Sequence, residues 1–295
     1  MRVGLVLLAM SVAAGAEAGP TPNRPPAGPP AAALAVVPAP RPPPTDAECL
    51  PLPPLRLPVA FAAGESLEFD LDAMGAQAGK MTMRVLPVRD GQLPVEVHAQ
   101  TNTFFSKVRR VNGTGVSYLS PRSLRPSRYT EDATENEVHR TADVAFRPND
   151  RGVALAFSVD GRNGKSEFRY AHDGLDVAGA VYLMRQLPLK GELAICFDVY
   201  GVRRMWRMSG KVVGREHVSL PLGEFEAWHL AGEAVVLNDS RLRREVHVWI
   251  SDDDRRLPLA AVGALDLGAV RATLTGFTRP GDKRARAQGK EALKW

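Results

Sequence analysis

The sequence predicts a mainly β protein: a strongly curved antiparallel sheet, forming a half-barrel or an open barrel, with one helix packed on it at about residues 176–187. Apolar and polar residues alternate with a period of two over much of residues 59–278, which is typical of strands that bury one face. Short turn signals separate these runs, so neighbouring strands should be antiparallel. A single segment has helical spacing instead, and a sheet with one apolar face needs such a cover.

The period-two runs locate the predicted strands. In the first run, Leu67, Phe69 and Leu71 alternate with polar residues. The same pattern returns at 81–85, 95–99, 153–159, 193–199, 246–250 and 270–274. Gly paired with Asn or Asp favours the tight turn of a hairpin. The predicted turns are Asp90-Gly91, Asn112-Gly113, Asp160-Gly161, Asn163-Gly164 and Asp266-Leu267-Gly268.

The helix is predicted from apolar residues at positions i, i+3, i+4 and i+7, namely Val177, Ala180, Val181, Met184 and Leu187. Asp176 is placed to cap the start of this helix, and Pro188 is placed to end it. The spacing therefore predicts about eleven helical residues.

Residues 1–18 have the layout of a secretory signal peptide. Arg2 is followed by an apolar stretch over 3–14 and by an A-x-A site ending at Ala18. We expect cleavage between Ala18 and Gly19, with an uncleaved N-terminal helix as the alternative. The protein should then be exported, to the periplasm or elsewhere in the cell envelope or outside the cell. No later apolar run reaches the length of a membrane helix, so we expect no transmembrane segment in the mature chain.

The remaining chain divides by composition into three parts. Residues 19–58 hold fifteen of the 24 prolines and form a predicted Pro-rich spacer without a core. Residues 59–278 form the predicted β-rich domain, and residues 279–295 form a basic tail. The net charge of +5 comes mainly from this tail, because residues 59–278 have no net charge. The domain therefore has no net positive charge to attract nucleic acid, and we expect no nucleic-acid partner.

No motif in the sequence indicates catalytic activity. It has no G-x-S-x-G or S-x-x-K pattern and no Cys–His arrangement typical of a nucleophile. The six histidines are dispersed, and Asp252-Asp253-Asp254 lacks the spacing of a calcium loop. We predict no catalytic residues, no metal ligands, no cofactor and no enzymatic activity.

Basic and apolar residues occur together at 203–207 and 241–244. Such a patch could bind sugar, phosphate or lipid headgroups, with the Trp206 ring as a stacking platform. The alternative is that these arginines lie on an exposed sheet face and prevent edge pairing. The candidate ligand-facing side chains are Trp206, Tyr182, Met184, Trp249 and Arg128.

The two cysteines are predicted to form a disulfide. Cys49 ends the spacer, and alternation puts Cys196 on the opposite side of its strand from Ile195 and Phe197, where another segment can reach it. Export to an oxidising compartment favours the bond. Two unrelated cysteines are the alternative.

Several segments of residues 59–278 carry a family resemblance. They are GESLEFD (64–70), AGKM (78–81), LRPSRY (124–129), YLMRQLP (182–188), VWISDD (248–253) with RRLP (255–258), LG (267–268) and LTG (274–276). With them the chain resembles exported bacterial proteins grouped as domain of unknown function 3108. The resemblance implies a periplasmic, mostly antiparallel β domain without established catalytic residues. Its architecture resembles the half-barrel of periplasmic lipoprotein carriers, in which a sheet and a helix enclose an apolar pocket.

Two functions remain open at the level of sequence. The first is a non-enzymatic envelope protein that binds an apolar or glycan ligand, with a lipid, a lipoprotein or a glycan as its partner, or that acts as an assembly or scaffold factor. The second is an envelope hydrolase that acts on glycan or cell-wall material through two carboxylates carried on strands. An apolar cavity under the helix would favour binding, whereas convergent buried carboxylates with raised pKa values would favour the hydrolase.

Overall fold

The computed structural model describes residues 49–73, 75–201, 203–265 and 268–280. The predicted signal cleavage site, most of the spacer and most of the basic tail lie outside these residues. The strands are β1 Ser66–Ala73, β2 Ala76–Val85, β3 Leu93–Thr101, β4 Val111–Leu119, β5 Pro126–Glu135, β6 Val138–Arg147, β7 Gly152–Val159, β8 Arg162–Arg169, β9 Gly174–Asp176, β10 Ala194–Gly201, β11 Arg204–Leu220, β12 Gly223–Val236, β13 Asp239–Ser251, β14 Pro258–Leu265 and β15 Gly268–Thr278. A short 3₁₀ helix spans Phe105–Lys107, and the α-helix α1 spans Val177–Met184.

All fifteen strands belong to one sheet with the order β8-β7-β6-β5-β4-β3-β2-β1-β15-β14-β13-β12-β11-β10-β9. Neighbouring strands are antiparallel except β9 and β10, which are parallel because α1 and its flanking turns connect them. Strands β8 and β9 are the two ends, so the sheet is not closed. Strand β11 nevertheless approaches both β15 and β8, which lie far from it in the strand order, and this requires a curled sheet. The predicted mainly β fold with one helix is confirmed.

The predicted helix is present but shorter than expected. Asp176 caps α1, and its Oδ1 accepts a hydrogen bond of 2.7 Å from the backbone N of Gly179. Beyond Met184 the chain tightens: the N of Gln186 donates to the carbonyl of Leu183, and the N of Leu187 to that of Met184. Residues 185–187, which the sequence predicted to be helical, therefore form a tighter turn, and Pro188 follows it.

The core lies between α1 and the sheet. Tyr182, Leu183 and Leu187 have no exposed surface and join a cluster with Leu119 and Phe197. A second cluster joins Val144, Phe146, Val153 and Leu155 of the β6–β7 hairpin to Tyr200 and Met205 across the curl. No helix among the described residues has both the length and the apolar character needed to cross a membrane.

Two of the predicted turns are correct and two are wrong. Asp90-Gly91 and Asp160-Gly161 connect strands with positive φ at both residues, as the hairpin geometry demands. Asn112-Gly113 lies inside β4 and Asn163-Gly164 inside β8. A Cβ on Gly113 would lie 2.6 Å from the Cβ of Ala133 on the neighbouring strand, so this glycine permits close packing across the sheet. Part of Asp266-Leu267-Gly268 lies outside the described residues.

The packed structure begins before Val59. Leu52 and Leu55 pack against the core, and the backbone N of Arg56 donates a 2.7 Å hydrogen bond to the carbonyl of Gln186. The last ten residues of the predicted spacer therefore lie on the β domain, attached beside the end of α1.

Candidate ligand-binding site

A cavity of about 520 Å³ lies where several separate parts of the chain meet. Its walls are the β4–β5 turn with the start of β5, the β6–β7 turn, residues 170–174 at the start of β9, Gln92, and the chain at Leu50 and Pro51 with Cys196. Its volume is within the range of known small-molecule sites. This is the candidate site.

The cavity has a mixed lining rich in hydroxyl and guanidinium groups. Ser120, Ser123, Ser127 and Tyr170 supply hydroxyls, and the apolar parts of the wall include Pro126, Phe146 and Pro148. Arg125 and Arg151 supply positive charge, and Asp173 is the carboxylate among the described lining residues. Such a surface can donate and accept many hydrogen bonds around a polar ligand.

Buried Asp198 of β10 holds the segment 170–174 in place. Its Oδ2 accepts hydrogen bonds from the backbone N of Ala171 at 2.7 Å and of His172 at 3.1 Å. Arg207 donates to both carboxylate oxygens, at 2.9 and 3.2 Å, and thereby compensates the buried charge. The N of Asp198 also donates to the carbonyl of Asp173. This wall of the cavity is therefore built before any ligand arrives.

The other walls are fixed by shorter-range contacts. Arg125 Nε donates to Asp173 Oδ1 at 2.6 Å and so links the β4–β5 turn to the segment before β9. The Tyr170 ring lies over Gly174, where a Cβ would be only 2.7 Å from the ring. Partial burial, followed by the negative charge of Asp150, raises the pKa of the Tyr170 hydroxyl. The hydroxyl is therefore a neutral hydrogen-bonding group at neutral pH.

The predicted disulfide between Cys49 and Cys196 is confirmed. The Cα atoms lie 5.0 Å apart, and the bond joins residues separated by 147 positions. Cys196 is buried in β10 and contributes to the cavity wall, whereas Cys49 approaches from outside the sheet. His172 is the third residue of this cluster, with a ring nitrogen within 4.8 Å of both sulfur atoms.

Two buried carboxyl groups with raised pKa values lie elsewhere. Burial raises the pKa of Asp176 to about 6, although Gly179 N and the Ser117 hydroxyl, which donates at 2.6 Å, oppose the shift. Burial also raises the pKa of Glu131, which accepts a 3.0 Å hydrogen bond from the Tyr129 hydroxyl. Glu131 lines a cavity of only about 70 Å³, and Asp176 caps α1. Neither carboxyl group lines the 520 Å³ cavity.

A chain of buried polar rings connects strands β11, β12 and β13. Glu216 accepts hydrogen bonds from Trp249 Nε1 at 2.9 Å, and its other oxygen lies 3.0 Å from Nδ1 of His229. Nε2 of His229 lies 2.9 Å from Nδ1 of His247, and the Trp249 ring stacks on His229 with centroids 4.5 Å apart. Each of these groups has polar partners inside the protein, so the network accounts for burial of two histidines that the sequence left without a role.

The structure disperses the five side chains predicted to face a ligand. Tyr182 and Trp249 have no exposed surface, and both belong to the core. Trp206 is half-buried and donates to the carbonyl of Gly201, while exposed Arg128 pairs with Asp143. None of these five side chains lines the 520 Å³ cavity. A ligand-facing role for Trp206, Met184 and Arg128 stays a prediction.

Two other cavities bear on the choice of site. The space beside Met184 and the sheet is about 50 Å³, which is room for only a few water molecules. A cavity of about 590 Å³ crosses β5–β8, but a single stretch of neighbouring strands forms it. The 520 Å³ cavity differs because segments distant in sequence converge on it.

The fold is similar to that of known proteins. It is similar to the crystal structure of a beta-barrel-like protein of domain of unknown function DUF1849 from Brucella abortus, with a TM-score of 0.51 and 7% identity over 74% of this chain and 98% of that chain. A protein with a YmcC-like fold from Bacteroides fragilis matches with a TM-score of 0.33 and 9% identity, over 75% of this chain and 98% of that chain. No curated protein matches the chain.

Residues 68–275 match the model of the family described as protein of unknown function, DUF3108. This range covers most of the β-sheet, from β1 to β15, together with α1 and the cavity walls formed after residue 68. The chain therefore belongs to the DUF3108 family.

Proposed function

We propose that this protein is an exported, non-enzymatic envelope protein that binds a glycan in the cavity beside the Cys49–Cys196 disulfide. The observation that carries the proposal is the cavity lining, which combines several hydroxyls, two guanidinium groups and the Tyr170 ring. A sugar offers hydroxyl groups as both donors and acceptors, and its apolar face can pack on an aromatic ring. The lining matches those needs, and the wall held by Asp198 keeps the cost of ordering low.

An apolar ligand has less support. An acyl chain would need a long apolar space under α1, and the 50 Å³ beside Met184 is too small for one. The side chains of Tyr182 and Leu183 on α1 have no exposed surface and are packed in the core. The glycan-binding form of the hypothesis is therefore preferred over the lipid-binding form.

A hydrolase also has less support than a binding protein. Hydrolysis of a glycosidic bond by two carboxylates requires both groups to flank the substrate at a short separation. Asp173 is the carboxylate among the described residues that line the cavity, and it already pairs with Arg125 at 2.6 Å. Asp176 and Glu131 have the raised pKa values expected of a general acid, but they lie outside this cavity.

Export is part of the proposal and rests on two features. The first eighteen residues have the layout of a signal peptide, with small residues at Ala16 and Ala18. The disulfide is a second feature, because such bonds persist in oxidising compartments outside the cytosol. Both support a location in the periplasm or the cell envelope.

The test is titration of the exported, oxidised protein with a panel of soluble neutral, amino and acidic oligosaccharides, followed by amide NMR shifts. We expect shifts that concentrate on residues 120–127 and 170–174. Tyr170→Ala should weaken binding of the best oligosaccharide by about tenfold, because it removes both the stacking ring and its hydroxyl. Binding of every sugar with unchanged affinity in Tyr170→Ala would refute the proposed site.

Arg128→Ala is the matched control. Arg128 is exposed and lies outside the cavity, where it pairs with Asp143. We expect this variant to bind with the affinity of the unmodified protein. Loss of binding in Arg128→Ala, with retention in Tyr170→Ala, would move the site to the outer surface of β5 and β6. Release of reducing sugar during the titration would show that the protein is a hydrolase.

A further inference from the structure

We propose that Cys49, Cys196 and His172 form a binding site for a d¹⁰ metal cation, Zn²⁺ or Cu⁺, when the disulfide is reduced. One ligand atom from each residue lies within 4.8 Å of the other two. Two thiolates and one imidazole are a donor set that zinc uses in proteins, and soft sulfur ligands also select Cu⁺. This metal site lies on the wall of the cavity proposed for the glycan, because His172 and Cys196 line it, but the proposal does not depend on glycan binding.

His172 is available for this role. Its backbone N is fixed by Asp198 at 3.1 Å, so its position on the wall does not depend on its side chain. Within the described part of the chain, neither nitrogen of its ring has a hydrogen-bond partner. The ring therefore has a free lone pair beside the two sulfur atoms.

The three residues should stay together after reduction. Cys196 lies within β10, which pairs with β11 along its length. Cys49 is held near it by contacts other than the disulfide: Leu52 and Leu55 pack on the core, and Arg56 N donates to the carbonyl of Gln186. Reduction would then leave two thiols close to His172 on an intact scaffold.

The disulfide becomes a metal site in two steps, reduction and then binding of the cation. The disulfide accepts two electrons and two protons from a dithiol reductant, which leaves as its own disulfide. The cation then displaces one proton from each thiol, and the neutral His172 imidazole donates its lone pair. Three protein ligands leave a fourth position open, and the cavity that Cys196 lines gives access to it. The oxidised and metal-bound forms are therefore alternative states of one cluster.

The experiment uses the full exported chain, reduced with a phosphine that is then removed without oxygen. Separate samples receive Zn²⁺, Cu⁺ or Co²⁺, the last because its absorption reports thiolate ligation and tetrahedral geometry. We expect one cation per chain in the reduced protein and none in the oxidised protein. We also expect the melting temperature of the reduced protein to rise on adding Zn²⁺, because the metal binds only the folded state.

His172→Gln is the decisive variant and His139→Gln its control. His139 lies on β6 and is exposed, away from the cysteines. We expect His172→Gln to weaken Zn²⁺ binding by about tenfold or more and to alter the Co²⁺ spectrum, while His139→Gln changes neither. The oxidised His172→Gln protein should melt as the unmodified protein does, because the ring makes no hydrogen bond. Equal affinity in the two histidine variants, or no binding to the reduced protein, would overturn the proposal.

Discussion

Arg185 and Glu65 form a bidentate ion pair in which neither side chain has exposed surface. Nη1 and Nη2 of Arg185 donate to the two carboxylate oxygens at 2.6 and 3.0 Å, and Nε donates to the carbonyl of Arg256 at 2.8 Å. The guanidinium also lies over the rings of Phe61 and Tyr182, 5.1 and 5.0 Å from their centroids. The pair therefore joins the chain before β1, the end of α1 and the turn after β13.

Breaking this pair should destabilise the protein strongly. Glu65→Gln leaves the Arg185 charge buried without a counter-ion, and such a loss costs about 3–5 kcal/mol in the free energy of unfolding. Replacing both residues, Glu65→Leu with Arg185→Met, should cost less than Glu65→Gln alone, because the buried Arg185 charge is removed as well. Arg279, whose Nε lies 4.0 Å from Glu65 Oε2, loses its carboxylate neighbour in both variants alike. Urea unfolding of the three proteins measures these differences.

Arg128→Ala is again the control, because the exposed Arg128–Asp143 pair should contribute about 0–1 kcal/mol. A loss from Glu65→Gln as small as that of the control would show that the buried pair does not hold these three segments together.

The ion pair brings together several of the segments that carry the family resemblance. Three of these segments, 64–70, 182–188 and 255–258, meet at Arg185. They are far apart in the chain, and no periodicity in any of them predicts the contact. The sequence could therefore identify the family from these segments but not the reason why they occur together.

The sequence predicted seven of the fifteen strands, each from an apolar face of period two, and did not predict β4, β5, β6, β8, β9, β11, β12 and β14. Strands β1, β2, β3, β7, β10, β13 and β15 each contain one of the period-two runs. Strand β8 was missed because RNGKSEFR has almost no apolar residues, and it lies at one end of the sheet, where little of it needs to be buried. Strand β4 was missed because Asn112-Gly113 was interpreted as a turn. A glycine that makes room for a neighbouring strand cannot be distinguished from a turn glycine by its letter alone.

The role of Gly113 in the close packing of β4 against β5 can be tested by substitution. Gly113→Ala should lower the free energy of unfolding by about 1–3 kcal/mol, because the new Cβ would lie 2.6 Å from the Cβ of Ala133 and neither methyl group can rotate away. Gly191→Ala is the matched control, since a Cβ there meets no atom within 4 Å. Chemical denaturation of both variants gives the comparison. Equal stability of the two would mean that β4 and β5 separate at no cost.

The candidate site was predictable only in part. Strand alternation at Cys196, together with export, predicted the disulfide that forms one wall. The rest could not be predicted, because residues 170–174 have neither periodicity nor a motif, and the family resemblance at 124–129 does not indicate what that segment contacts. The two segments meet only through the strand order, in which β10 returns beside β9 and parallel to it after α1. His172 was interpreted as one dispersed histidine, since nothing in its neighbours indicates proximity to the cysteines.

Removing the disulfide should destabilise the protein without unfolding it. The bond closes a loop between residues 147 positions apart, for which the chain-entropy model gives an upper value of about 5 kcal/mol. The contacts of Leu52, Leu55 and Arg56 partly keep the same segment in place, so we expect a smaller loss for Cys49→Ser with Cys196→Ser. Thermal unfolding of this double variant, compared with the oxidised protein, measures the loss. An unchanged melting temperature would show that the loop is already closed by other contacts.

Asp176 should make the stability of the protein depend on pH in an unusual direction. Burial raises its pKa in the folded protein from 3.8 to about 6, so the folded state holds a proton that the unfolded state has lost between these values. The stabilisation from Asp176 is complete below about pH 4 and is lost as the pH rises through 6, by about 3 kcal/mol at most. Asp176→Asn cannot ionise, yet its side-chain oxygen can still accept from Gly179 N. Its free energy of unfolding, measured from pH 4 to pH 7, should therefore rise relative to that of the unmodified protein.

A second variant tests whether the raised pKa of Asp176 causes this pH dependence. Ser117 donates its hydroxyl to Asp176 Oδ2 at 2.6 Å, and this bond favours the charged carboxylate. Ser117→Ala should raise the pKa of Asp176 further, so the loss of stability should extend to higher pH than in the unmodified protein. The opposite trend, in which the unmodified protein gains stability over Asp176→Asn as the pH rises, would mean that the cap hydrogen bonds outweigh burial. The folded pKa would then lie below 3.8, and Asp176 would act as an ordinary charged cap of α1.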